Sequence, residues 1–155
     1  MFRRKNVVLL LLALFAVFAS AALGTGHYRC VRVIDGDTLV VDIDGKQEKV
    51  RLIGVDTPET VHPSKPVEYF GKEASAFTKK LAAGQGVRLE YDQQKRDRYG
   101  RLLAYVYLED GTFLNAELIK QGYGFAYTRF PFRYMEEFRR YEKEARESRR
   151  GLWKN

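Results

Sequence analysis

The sequence predicts an α+β fold, a small five-stranded β-barrel with three α-helices, preceded by an apolar N-terminal segment. Three observations predict it. Five short runs carry strand patterning between turn residues, one run after the third has helical spacing, and 155 residues allow a single small domain plus an appendage.

Tyr28 to Ile34 reads as the first strand, although Arg29 and Arg32 spoil strict alternation. Thr38 to Ile43 is cleaner, with Leu39, Val41 and Ile43 on one face. Asp44-Gly45 signals a tight turn, and Lys46 to Val55 returns as the third strand. Thr57-Pro58 ends it, because proline cannot donate to a ladder. Thr57 to Phe70 is polar, proline-bearing and longer than most connections, which makes it a candidate functional loop. Gly71 to Ala83 is helical, with Ala74, Phe77 and Leu81 on one face and Gly84 as the stop. Val87 to Tyr91 alternates as a fourth strand, and Leu102 to Leu108 is a fifth, ended by Asp110-Gly111. Asn115 is placed as the cap of a short helix ending at Gly122. Gly124 to Phe132 is irregular and aromatic. Arg133 to Arg150 forms the last helix, facing Met135, Phe138 and Ala145 inward, and Trp153 docks the C-terminus. Five strands with a helix after the third fit a Greek-key barrel of the OB type.

Residues 1–23 stand apart from the domain at 24–155. Arg3, Arg4 and Lys5 precede an apolar run from Val7 to Leu23, and Ala19-Ser20-Ala21 offers a small-residue cleavage site. This is the pattern of a signal peptide. An uncleaved membrane anchor is the alternative, since the run is just long enough to span a bilayer. Either reading exports the domain, to the extracellular space or the periplasm. The net charge is +7, of which this segment holds three cations and no acid. The remaining excess favours a polyanionic partner. The single cysteine, Cys30, sits among apolar strand residues, so no intrachain disulfide forms and a buried inert thiol is expected.

The chemistry gathers around Arg51-Leu52-Ile53-Gly54-Val55-Asp56-Thr57-Pro58-Glu59. A strand that opens into a loop there carries a cation at its start and two carboxylates at its end. Val33-Ile34-Asp35-Gly36-Asp37-Thr38 lies upstream and Asp97-Arg98-Tyr99-Gly100-Arg101 downstream. Carboxylates for a hard cation, arginines for phosphate and one spare acid are the parts of a metal-dependent phosphodiesterase. Asp37 and Asp56 are the candidate metal ligands, with the Thr57 carbonyl as a third. Glu59 is the spare acid, placed to orient water. Arg51 and Arg101 present paired donors that match phosphate oxygens. Tyr99, between Arg98 and Arg101, places a phenol where it can reach a terminal phosphate, and Arg98 joins it on the substrate-binding side. Asp35 and Gly36 shape the approach to Asp37.

These three stretches resemble the thermonuclease family. So do Val55 to Thr60, His62-Pro63 and Glu73 to Lys80, and the similarity runs from about Tyr28 to Trp153. The resemblance implies the same barrel with two further helices, and a Ca²⁺-dependent secreted nuclease. It implies DNA and RNA as substrates, single-stranded or frayed regions preferred, and 3′-phosphate products. It assigns metal to Asp37 and Asp56, makes Glu59 the general base or the holder of the attacking water, and has Arg101 as a proposed acid. The high pKa of arginine favours electrostatic stabilisation there instead. It also places a base-stacking tyrosine at Tyr127, but a one-residue deletion precedes that position and the family's next tyrosine is Arg129 here. A non-catalytic OB-fold nucleic-acid-binding module is the alternative function. Clustered acids in a phosphate groove would repel its ligand unless a cation intervened, which favours the enzyme. A monomer is the default state.

Overall fold

The computed structural model describes residues 27–155, so the signal or anchor expected at residues 1–23 lies outside the described residues. Strands β1 (His27–Asp35), β2 (Thr38–Ile43) and β3 (Lys46–Leu52) form an antiparallel meander. Its second turn is Asp44-Gly45, both at positive φ, with the Gly45 amide donating to Asp42 Oδ1 at 2.8 Å. The barrel closes in the order β1-β2-β3-β6-β5, where β5 is Gly86–Glu90 and β6 is Leu102–Leu108. Only the β3–β6 pairing is parallel. The expected five-stranded barrel is therefore present, and β1 carries two register shifts that bend it around the closure.

The third strand is shorter than its sequence suggests. It leaves the barrel after Leu52, because Gly54 turns the chain at φ +73, a left-handed conformation disfavoured for side chains. Gly54 also lies directly under the rings of Phe132 and Phe138, where a Cβ would collide. Val55–Asp56 then forms a separate strand, β4, pairing with β7 (Phe125–Ala126) inside the stretch expected to be irregular. The two-residue β4 thus carries Asp56 outside the barrel sheet, with its carboxylate 3.2 Å from Arg51 of β3.

Three helices complete the fold: α1 (Gly71–Ala82), α2 (Leu114–Lys120) and α3 (Met135–Glu147). Helix α1 lies over β1, burying Ala74 and Ala82, with Thr78 Oγ1 donating to the Gly36 carbonyl at 2.6 Å. The core is one cluster of barrel and helix side chains, including Leu39, Val50, Leu52, Val106, Leu118 and Phe138. Cys30 is fully buried within it, and burial pushes its thiol up to about 11. Helix α3 is shorter than expected, and a 3₁₀ turn at Gly151–Trp153 follows it, with Leu152 N donating to the Gly122 carbonyl at 2.8 Å. Arg146 covers the Trp153 ring at 4.0 Å, which docks the C-terminus as expected. Among the described residues no helix is long and apolar enough to cross a membrane.

Asn115 does not cap α2. Phe113 holds that position, and Asn115 is fully buried in the helix. Its Oδ1 accepts from Val106 N at 2.9 Å, and its Nδ2 donates to the Ile53 and Ala104 carbonyls at 3.0 and 3.1 Å. One amide thereby supplies bonds to three backbone groups where β3 departs from β6. Leucine has similar bulk but no hydrogen bonds, so Asn115→Leu should cost about 2–4 kcal/mol in urea unfolding, from backbone groups left unpaired in the core.

Candidate active site

The break after β3 and the turn between β1 and β2 bring two carboxylates together. Asp37 is 7% exposed, and its Oδ1 accepts from Thr38 Oγ1 at 2.9 Å. Its Oδ2 accepts from Thr57 N at 3.0 Å, tying the first turn to the chain after β4. Gly36 lets Thr57 approach, because a Cβ there would meet the Thr57 side chain at 2.7 Å. Asp56 is more open, its side chain half exposed.

Arg51 sits between them. Its Nη2 lies 3.2 Å from Asp37 Oδ2 and 3.2 Å from Asp56 Oδ1, while Nη1 donates to the Leu52 and Val55 carbonyls at 2.9 and 2.6 Å. Three terminal N–H groups are thus hydrogen-bonded within the protein, to Leu52, Val55 and Asp56, while Asp37 is held by charge at ion-pair distance. Its charge still faces the cleft.

An open cleft of about 360 Å³ is lined by Asp35, Asp37, Arg51, Asp56, Thr57, Glu59 and Arg101, with Lys49 at its wall. The Asp56 carboxyl is held above its ordinary range by loss of water at the cleft wall and by the Asp37 charge, with Arg51 pulling the other way. Asp35 is pushed up to about 6 by burial, against hydrogen bonds from Thr60 Oγ1 and Gly36 N, both at 2.8 Å. Its neighbour Glu59 goes the opposite way, held below the usual range first by the Val61 amide. Glu59 Oε1 accepts from Val61 N at 2.9 Å and Thr60 N at 3.0 Å, and its carboxylate also pairs with the Asp35 carboxyl. Two adjacent acids with pKa values driven apart allow one to stay anionic while the other carries a proton.

Asp97 fixes the other wall. Its Oδ2 accepts from Arg101 Nε at 2.7 Å, and its Oδ1 from the amides of Tyr99 and Arg101 at 2.9 and 3.0 Å. The turn closes at Gly100, φ +78.

The donor chemistry of the cleft suits a hard cation. Asp37 and Asp56 converge on one positively charged nitrogen, and the lining holds oxygen ligands without histidine or cysteine. Among the described residues no three His, Cys, Asp or Glu side chains form a ready cage. A cation here would therefore rely on two carboxylates plus backbone oxygen and water.

Comparisons with known proteins place the chain in a family. A family model described as staphylococcal nuclease homologue matches residues 49–155. The chain is 49% identical to the thermonuclease of Staphylococcus hyicus over 142 residues, covering 89% of this chain and 83% of that one. It is 50% identical to the thermonuclease of Staphylococcus intermedius over 127 residues, 81% of this chain and 75% of that one. Endonuclease YncB of Bacillus subtilis (strain 168) is 42% identical over 125 residues, 79% of this chain and 59% of that protein.

The chain belongs to the staphylococcal nuclease family. That is a family of nucleases, hydrolases of the phosphodiester bond.

Of the residues expected in the site of this nuclease-family chain, Asp37, Asp56, Thr57, Arg51, Glu59 and Arg101 line the one cleft. Arg98, Tyr99 and Tyr127 do not. Tyr99 is 68% exposed, with its hydroxyl accepting from Arg98 Nη2 at 2.7 Å and the Arg101 guanidinium 5.5 Å from its ring centre. Tyr127 follows β7, its amide donating to the Gly54 carbonyl at 2.9 Å, and its ring leans on exposed Phe130. Lys49 was legible in retrospect, since it stands two residues before Arg51 and alternation puts both on one face. Asp97 carried a signal too, as an acid opening a glycine turn.

The Asp97 carboxyl is held below its ordinary range: burial alone would raise it, but the Arg101 side chain and amide outweigh that. A depressed acid contributes stability that is complete above about pH 4 and is lost as pH falls through the folded value. Asp97→Asn should therefore cost about 1 kcal/mol at neutral pH, with the gap from the parent closing below about pH 4 in urea titrations. A gap that widens on acidification would contradict this assignment.

Proposed function

We propose that this nuclease-family chain is an exported, Ca²⁺-dependent nuclease that hydrolyses DNA and RNA, single strands preferred, to 3′-phosphate ends. The observation that supports it most is the convergence of Asp37 and Asp56 on one cationic nitrogen in a cleft that Glu59 and Arg101 also line. Asp37, Asp56 and the Thr57 backbone carbonyl would hold the Ca²⁺, whose charge, when bound, neutralises a phosphoryl oxygen. Export follows from the sequence pattern of residues 1–23, and its retention as an anchor would leave the catalytic domain outside the membrane.

Glu59 is anionic at working pH, with Oε1 tied to two amides and the carboxylate paired with Asp35 at the cleft where water would be held. A carboxylate held below its usual pKa is a weak proton acceptor, so its part is chiefly to orient the nucleophile. Arg101, fixed by Asp97, faces the cleft as a rigid guanidinium whose stabilisation grows as charge builds on the phosphorane. Arg51 adds charge, while holding the two carboxylates in register. Tyr99, Arg98 and Tyr127 flank the cleft as substrate contacts, sequence-tolerant because every base has a face that stacks.

Heat-denatured DNA incubated with the full chain in Ca²⁺ should be degraded, and EGTA should abolish the reaction. Binding without degradation, by folded protein in Ca²⁺, would mark a barrel-type binding module instead. Glu59→Gln should lower turnover at least about tenfold with nucleotide affinity largely kept. Parent activity should climb from about pH 5 toward about pH 9, because hydroxide becomes available while both arginines stay charged. A maximum near pH 5 would remove Glu59 from water activation.

A further inference from the structure

Beside the cleft, a second groove of about 260 Å³ runs between α1, the end of β1 and the loop after β4. It shares Ile34 and Val61 with the cleft, so the two form one continuous depression. Val61 is 56% exposed, an apolar surface at the junction. Ala76 continues the floor, and Lys72 and Lys79 stand along the α1 side.

Those two lysines are seven residues apart, two helical turns, and so share one face at about 10.5 Å along the axis. Even in a stacked strand, with about 3.4 Å of axis per phosphate, that distance spans several phosphates. Like Lys80 and Lys120, they differ from the paired cations of α3. Arg139, Lys143 and Arg146 on α3 are each paired with a glutamate of their own helix, whereas Lys72 and Lys79 enter no ion pair among the described residues. Unneutralised charge along a groove tracks a phosphate backbone, and an aliphatic floor beside it gives a base face an apolar surface to cover.

We propose that this groove binds the continuation of a single-stranded nucleic acid beyond the cleft. Lys72 and Lys79 take successive stretches of the phosphate backbone, and Ile34 and Val61 carry a base at the junction. The proposal rests on the nuclease reading of the cleft, and it adds a length requirement: strands that reach α1 bind more tightly than those that fill the cleft alone.

The test is fluorescence anisotropy of single-stranded DNA of about 12 nucleotides, within the site size of one such barrel, titrated with the full chain in EGTA. Lys72→Gln/Lys79→Gln should weaken binding about tenfold at low salt and flatten the slope of log K against log salt by about 1.4, at about 0.7 per phosphate contact. Lys79→Gln alone should flatten it by about 0.7, and Lys80→Gln, one residue on and outside the groove, should leave it unchanged. Thermal unfolding of each variant checks that the exposed substitutions leave the fold intact. An equal flattening by Lys80→Gln would reduce the effect to net charge and overturn the proposal. So would a loss of the same size with a dinucleotide, which cannot reach α1, or parent-like binding by the double variant. Failure of the parent to cleave in Ca²⁺ would overturn the functional reading, while the anisotropy comparison would still decide the groove.

Discussion

One guanidinium links the fold of this protein to its cleft. Arg51 donates to the Leu52 and Val55 carbonyls at the point where β3 leaves the barrel, and it lies between Asp37 and Asp56. Two carboxylates cannot sit side by side at a sheltered surface without a cation, since the mutual repulsion adds to the loss of water around each. Arg51 supplies that cation and, with the same side chain, satisfies backbone acceptors that the break in the strand exposes. The cleft and the break in β3 therefore depend on each other.

The surroundings keep this arrangement rigid. Gly36 lets the first turn press against Thr57, whose amide ends on Asp37. Asp35 and Thr60 join that turn to the loop carrying Glu59. On the far side Asp97 holds Arg101 through both its side chain and its amide. Beneath them, Asn115 bonds to Ile53, Ala104 and Val106, so the departure of β3 from β6 rests on a helix and not on the sheet alone. A site held by carboxylates bonded to backbone amides can fix its charges to within a fraction of an ångström, which electrostatic stabilisation of a developing phosphorane requires.

The patterned parts of the chain were legible without coordinates. Alternation in Thr38 to Ile43, the apolar run Leu102 to Leu108 closed by Asp110-Gly111, and helical spacing in Gly71 to Ala83 gave elements that the structure places within a residue or two. Local turn chemistry was legible at Asp44-Gly45 for the same reason, since the constraint acts between neighbours. Asn115 was misread as a cap because asparagine near a helix start has a local use, and only the packing of α2 against β3 and β6 gives it a distant one. The end of β3 was misplaced because Gly54 yields to the Phe132 and Phe138 rings, which are far away in sequence.

The sequence by itself determined the barrel, its helices, and the chemical types available to the cleft: acids, arginines and a polar loop in three separate stretches. Those follow from periodicity and residue chemistry, which act over short spans. Tertiary structure alone decided which of them meet. It put Asp37, Arg51 and Asp56 within hydrogen-bond reach, drew in Lys49, left Tyr99 and Tyr127 outside the cleft, and drove the pKa values of Asp35 and Glu59 apart. Distances across a barrel are set by strand register and by where the chain breaks from the sheet, and charge coupling depends on those distances and on burial.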